Sequence, residues 1–331
     1  MTNHKASPQR ATPLLVISLG IAAVSTASLM IRSAQAWGMP SLVIAAGRLA
    51  LATVALAPVV LLRDRSELFA LHPQELGLAL ASGAFLAVHF ATWVTSLQFT
   101  SVASSVVLVS TSPLWVTLVS SVFLHERPRR AMIAGMGLAL IGSAGVALAD
   151  ACFSSGPLVC GQASGAGPSA SILGDGLALV GAFMAAGYFL LGRRLRPTLS
   201  LRVYVFLSYG MAALLLLVIL PVARLSLAGY RPPAYLWIVL LAIIPQLVGH
   251  SSFNWALRYL SVIFVTISVL GEPIGSTLLA YFFLGETPGP VKIAASALIL
   301  VGILIASRAE WGSLRSSEPT PHGGGEASVG V

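Results

Sequence analysis

Ten runs of about twenty apolar residues follow one another along this chain, and they restrict its folding more than any other feature. They lie at roughly 13–32, 40–62, 74–97, 101–124, 131–149, 172–192, 202–222, 235–257, 261–284 and 290–308. A bilayer core about 30 Å thick is crossed by about 20 helical residues. In hydrocarbon only helices and closed barrels satisfy their own backbone groups, and runs of this length suit helices. Charged residues make up 9% of the 331 positions and hydrophobic ones 56%, with a mean hydropathy of +0.89. A soluble domain carries about 25% charged residues to cover its surface. A soluble enzyme is thereby excluded, and the expected fold is an all-α polytopic membrane protein of ten transmembrane helices. The net charge of +8 raises nucleic acid as a partner. The basic residues, however, sit in short loops between apolar runs, which is the pattern of membrane orientation.

Breakers separate the runs at Pro40, His72-Pro73, Pro128, Pro197, Pro232-Pro233 and Pro288-Gly289-Pro290. Near the start, Lys5 and Arg10 precede an apolar stretch, and Ala34-Gln35-Ala36 resembles a signal-peptidase site. The stretch from Leu14 to Ile31 is long for a signal core and ends in Arg32, so it reads as a retained first helix. With the N-terminus inside, fourteen basic residues fall on the inner side and four (Arg32, Arg224, Arg231 and Lys292) on the outer. That imbalance predicts that both termini are cytoplasmic. The domain reading is a cytoplasmic tail 1–12, a five-helix unit 13–149, an outer loop 150–171, a second unit 172–308 and a disordered cytoplasmic tail 309–331.

The two units are related in sequence. Shifting residues 97–128 by 160 gives eleven identities in 32 positions without a gap, including Val109/Val269, Pro113/Pro273, Thr117/Thr277 and Glu126/Glu286. The next helix continues the match with Gly142 over Gly302. An odd helix number per unit turns the second copy upside down. The chain therefore reads as two inverted five-helix repeats, an arrangement typical of carriers with a midplane site.

Ser110-Thr111-Ser112-Pro113-Leu114-Trp115 running to Phe123-Leu124-His125-Glu126, and Leu270-Gly271-Glu272-Pro273-Ile274 running to Phe283-Leu284-Gly285-Glu286, form a motif pair. The pair, with Gly47-Arg48-Leu49 in the second run, resembles the EamA-type transporters of the drug/metabolite transporter superfamily. His125 departs from the pattern, which usually has Gly there. The resemblance spans about 12–308 and implies a ten-helix inner-membrane carrier, often an exporter of amino acids or other small metabolites. It does not name a substrate.

Glu272 is the most informative single residue. It lies about 16 Å into its helix by helical rise, where a carboxylate costs about 2.5–3.5 kcal/mol unless neutral, paired or facing water. Pro273 and Pro113 deprive the Val269 and Val109 carbonyls of helical partners, opening two helices at mid-membrane. Ser112 stands beside Pro113, and Ser268, Glu272 and Ser276 share one helical face. Arg48 either meets a substrate carboxylate, pairs with Glu272, snorkels outward or clamps free carbonyls; the clamp is preferred. Gln246, His250, Asn254 and Arg258 recur every four residues, while His89, Thr92 and Ser96 share a face beside Trp93. Such stripes either line a permeation path or bond helix to helix. The substrate-binding candidates are thus Glu272, Arg48, His89, Trp93, His250, Asn254 and Ser112. Glu126 and Glu286 read as structural residues near helix N-termini, and Gly271 and Gly275 as sites of close helix packing. Cys152 and Cys160, both in the outer loop, are expected to form a disulfide.

No phosphate loop, zinc spacing or catalytic triad is visible. No cofactor, metal or catalytic residue is expected. The partners are a small-molecule substrate and the lipid bilayer, with a homodimer admitted. The leading function is a secondary transporter of a small metabolite, amino-acid-like or otherwise polar or amphipathic, by alternating access, with export implied by the family resemblance. A flippase for a lipid or lipid-linked sugar, and a membrane enzyme acting on a lipid-linked substrate, are the alternatives.

Overall fold

The structure, a computed structural model, describes residues 11–96, 99–100, 102–124, 128–153, 168–284 and 287–316. All regular elements among them are helical. Helices α1 (Ala11–Val24) and α2 (Ala27–Ala36) form the first run, followed by α3 (Ser41–Arg63), the short α4 (Arg65–Phe69) and α5 (Pro73–Ser96). The fourth run is divided into α6 (Val102–Val109) and α7 (Ser112–Phe123), and α8 (Arg130–Phe153) is the fifth. Helices α9 (Pro168–Leu195) and α10 (Leu201–Val222) open the second half. The eighth run comprises α11 (Pro232–Leu241), a π-helical segment (Ala242–His250) and α12 (Ser251–Ala256). Finally α13 (Val262–Val269) and α14 (Glu272–Leu284) make the ninth run and α15 (Pro290–Ser316) the tenth. Among the described residues, eight spans are long and apolar enough to cross a membrane, with two shorter apolar stretches at Val107–Phe123 and Arg130–Val146.

The interruptions have local causes. A proline lacks the N–H for an i→i−4 bond, and its ring crowds the carbonyl four residues back. Ahead of Pro113 the chain therefore tightens: Thr111 N bonds Leu108 O at 3.1 Å and Leu114 N bonds Thr111 O at 2.9 Å. Ahead of Pro273 the same i→i+3 pair recurs 160 residues later, Gly271 N to Ser268 O at 3.0 Å and Ile274 N to Gly271 O at 3.1 Å. The first run breaks without proline. There Ser25 Oγ donates to Ile21 O at 2.7 Å and Thr26 Oγ1 to Ala23 O at 2.7 Å, hydroxyls competing for helical carbonyls.

Small residues set the closest packing. A Cβ on Gly302 would lie 2.5 Å from Gly135 O and 2.7 Å from Ala139 N. A Cβ on Gly142 would lie 2.6 Å from Ala295 O and 2.8 Å from Ile299 N. The second contact is the first shifted by 160 with the partners exchanged, and together they seat α8 on α15. Helix α5 packs along α9, while the first run packs along the eighth. Gly275 meets Ser25, whose side chain a Cβ there would overlap, as expected for a glycine that permits close approach.

At one end of the bundle, loops are tied by charge. Arg202 holds Asp64 through two 2.6 Å bonds, keeping the Asp64 carboxyl below the usual carboxylate range. Glu67 accepts from Ser200 N at 2.6 Å, at the start of α10. Arg196, almost fully buried, donates to Asn254 O at 2.9 Å and to Leu199 O, and Arg193 reaches Leu257 O at 2.7 Å. These arginines satisfy carbonyls that α12 leaves open at its C-terminus. Burial pushes the Arg196 guanidinium down to about 10, so it remains charged at neutral pH. Two expectations change here. Helix α15 continues to Ser316 rather than giving way to a disordered tail at 309, because buried Glu310 accepts from Ser261 N at 2.6 Å and Ser261 Oγ at 2.7 Å. The loop after the fifth run is also shorter than expected, since α8 reaches Phe153 and α9 starts at Pro168.

Candidate functional site

Arg48 lies in the first half of α3 and is 2% exposed. Its Nε and Nη2 both donate to Gln246 Oε1, at 3.1 and 2.7 Å. Its Cζ sits 4.4 Å from the centroid of the Phe90 ring, a cation–π contact. The residue neither snorkels nor clamps backbone carbonyls. It joins the first half of the chain to the second through a side chain.

Gln246 belongs to the π-helical segment, which also holds Pro245. A proline inside a helix cannot donate, and widening the turn to i→i+5 is one way to absorb the defect. The widened turn changes the expected polar stripe. Gln246 and Asn254 are fully buried, His250 is half-buried, and Arg258 lies beyond the end of α12, exposed. Asn254 donates to Tyr188 Oη at 2.5 Å and His250 O at 2.8 Å.

Phe90 extends the cluster. Its ring meets His250 edge-on at 5.7 Å and lies 5.0 Å from His89, which stacks on Trp93 at 5.8 Å. His89 Nδ1 is 2.9 Å from Gly181 O, fixing α5 on α9. Thr92 and Ser96 bond carbonyls of their own helix, and Ser96 also reaches Ser105 Oγ at 2.7 Å. Four of the five candidates on α3, α5, the π segment and α12 therefore form one contiguous group: Arg48, His89, Trp93 and His250. Asn254 stands one turn away, bonded to the His250 carbonyl.

Glu272 is the first residue of α14, half-buried, where the helix N-terminus favours a carboxylate. Its carbonyl accepts from Ser25 Oγ at 3.1 Å, and Ser276 Oγ donates to Ser25 O at 3.0 Å, so the breaks in the first and ninth runs interlock. Among the described residues no ion pair joins Arg48 and Glu272. The Ser268–Glu272–Ser276 face is divided by the break, and Ser268 turns to its own helix at Phe264 O, 2.9 Å away. Ser112 starts α7, half-buried beside buried Pro113, at the place related to Glu272 by the 160-residue shift. Pro273 likewise follows Glu272 in the first turn of α14.

Several members of this region carried no individual sequence signal. Phe90 reads as one apolar residue among many, and buried Tyr188, Tyr204 and Tyr209 as core. Yet Tyr204 bonds Ser82 at 2.7 Å and Tyr209 donates to Gln246 O at 3.4 Å. Gln246 was visible only through its four-residue spacing. Cys160, His125, Glu126 and Glu286 lie outside the described residues, as does the side chain of Cys152.

Comparison with known proteins agrees with this architecture. The model of the EamA-like transporter family matches residues 11–148 and again 172–308. An uncharacterized transporter of Archaeoglobus fulgidus is 28% identical over 236 residues, 71% of this chain and 77% of its own length. A protein of Streptantibioticus cattleyicolor named a probable terminal-alkyne amino-acid exporter is 27% identical over 210 residues, 63% of this chain and 65% of its own length. A crystal structure superposes with a TM-score of 0.74 at 21% identity, covering 94% of this chain and all of that one, a likeness of fold. Apolar spans, a motif carried once in each half and a family match over both halves lead to one conclusion: this multi-pass membrane protein belongs to the EamA-like transporter family.

Proposed function

We propose that the chain is a secondary transporter that exports a small amphipathic, amino-acid-like metabolite across the inner membrane by alternating access. Ten spans form two inverted five-helix halves, with both termini cytoplasmic. The observation that carries this reading is the pair of matched breaks, Ser110–Thr111 and Leu270–Gly271, placed 160 residues apart before Pro113 and Pro273. Discontinuous helices in corresponding positions of two halves are what a midplane site requires. The exchanged Gly302 and Gly142 contacts support an internal two-fold axis, and the double family match supports two units.

The site candidates suit a substrate with one charged end of each sign and an apolar body. Glu272 at the α14 break offers a carboxylate to an ammonium group. The Trp93, His89 and Phe90 rings offer an apolar wall, with Asn254 and Ser112 as polar edges. The name of the Streptantibioticus relative points to the same class. Flux in proteoliposomes tests the proposal: the purified protein should move labelled amino acids in counterflow and leave fluorescent phospholipid unscrambled. Lipid scrambling without amino-acid flux would replace this reading with a flippase.

A further inference from the structure

Among the described residues, five buried side-chain atoms have no hydrogen-bond partner, and three of them belong to consecutive members of one stripe: Gln246 Nε2, His250 Nδ1 and Asn254 Oδ1. A fourth, Trp93 Nε1, belongs to the same cluster. Gln246 is the decisive case, because its orientation is dictated by chemistry. A guanidinium has donors only, so the oxygen of the Gln246 amide must face Arg48, as the 3.1 and 2.7 Å bonds record. The amide nitrogen is then turned away from Arg48, fully buried on the side of the Tyr209 hydroxyl and without a hydrogen bond of good geometry. Leaving a buried donor empty costs its whole desolvation, which a resting contact does not return. Its placement in a π-helical turn adds a second observation, since such turns gather at functional sites.

We infer that Gln246 is a specificity-determining residue whose Nε2 donates to an acceptor oxygen of the substrate, a carboxylate oxygen, with Arg48 acting as the positioning residue that holds the amide in that orientation. The inference rests on the transport reading above and names the atom that reads the substrate's acid end. Trp93 Nε1 and Gln246 Nε2 are donors and match the acceptor-bearing end of a ligand, whereas Asn254 Oδ1 is an acceptor. Glu272 then meets the opposite end. Arg48 fixes the amide: its Nε and Nη2 both donate to Gln246 Oε1, and Phe90 covers one face of the guanidinium.

Gln246→Glu tests this directly. The new carboxylate keeps an oxygen for Arg48, so the fold is held, but it presents an acceptor where a donor stood. Counterflow in proteoliposomes is measured with L-leucine and L-propargylglycine, each beside its carboxamide. Wild-type protein should prefer the acids. In Q246E the acids should lose about tenfold or more in apparent affinity, the worth of one hydrogen bond to a charged group, while the amides, which offer an N–H, lose less or gain. The acid-to-amide preference should therefore shrink or invert. Gln246→Leu, which offers neither group, should weaken the acids without inversion and serves if Q246E does not insert. Equal losses for acid and amide, or unchanged acid affinity in either variant, would assign Gln246 to packing and overturn the inference while leaving transport standing. Wild-type protein that moves none of the acids overturns the amino-acid reading and this assignment together.

Discussion

Glu272 sits at the first residue of α14, where a helix N-terminus and an interrupted backbone meet. Glu272→Gln keeps size and hydrogen bonding while removing the charge. If the carboxylate binds the cationic end of the substrate, affinity should fall by about 1.5–3 kcal/mol, the worth of a charge-assisted hydrogen bond. A residue that carries the driving proton would instead leave exchange intact and abolish flux driven by a pH gradient. Wild-type affinity and gradient-driven flux in the variant would reduce Glu272 to packing. Arg48 shows how much a single residue's role depends on its neighbours. Its position in an apolar run marked it as costly, but its partners, Gln246 and Phe90, lie 198 and 42 positions away.

At the level of the helix pair, α8 and α15 meet through glycines that no side chain can replace without moving backbone. Gly302→Ala and Gly142→Ala should each destabilise the purified protein by about 1–3 kcal/mol, the range for overpacking a tight contact. Melting of the two variants in detergent should shift by similar amounts, because their contacts are related by exchange of the halves. At Gly137, on the same α8, an added Cβ would meet nothing within 4 Å, and Gly137→Ala should be neutral or slightly stabilising. Unequal behaviour of Gly302 and Gly142 would argue against the two-fold relation. The Asp64–Arg202 tie makes a different prediction. Arg202 is half-exposed, so the pair is worth at most about 1 kcal/mol. Because the folded Asp64 value is depressed, that contribution is full above the unfolded value near about 3.9 and disappears as pH falls through the folded one. Asp64→Asn should remove this part of the acid dependence, so the two proteins should converge in stability as pH falls below the folded Asp64 value.

The molecule as a whole is proposed to have two inverted halves with cytoplasmic termini, and its loops can report this. Fusions after Asp64, Pro128 and Arg194 should signal a cytoplasmic reporter, and fusions near Ser155 and Leu227 a reporter active outside. A cytoplasmic signal at Ser155 would place an even number of spans in the first half and end the inverted-repeat proposal. Cys152 and Cys160 should resist thiol labelling in intact cells until a reductant is added. Labelling without reductant would rule out the bridge between them.

What the sequence decided alone follows from properties that act locally or sum along the chain. Apolar length fixes which stretches span a bilayer, since the cost of leaving a backbone group unbonded in lipid does not depend on the rest of the fold. Proline decided where α6 gives way to α7 and α13 to α14, because the missing N–H is an intraresidue fact. The likeness of the two halves and the motif around Pro113 and Pro273 were legible for the same reason. Other features needed the assembled structure. The break at Ser25–Thr26 has a local cause, but its interlocking with Gly275 and Glu272, more than 240 positions away, exists only in the assembled bundle. The π turn displaced a stripe that four-residue spacing had drawn as continuous, and Arg258 left it. Helix α15 ran on to Ser316 because Glu310 found the free N–H of Ser261, a partner that composition of the tail could not announce. The candidate site divides along this line. Its charged residues stood out against apolar helices, whereas their orientation was set by Phe90, Gln246 and Ser25, ordinary residues that only tertiary packing brings beside them.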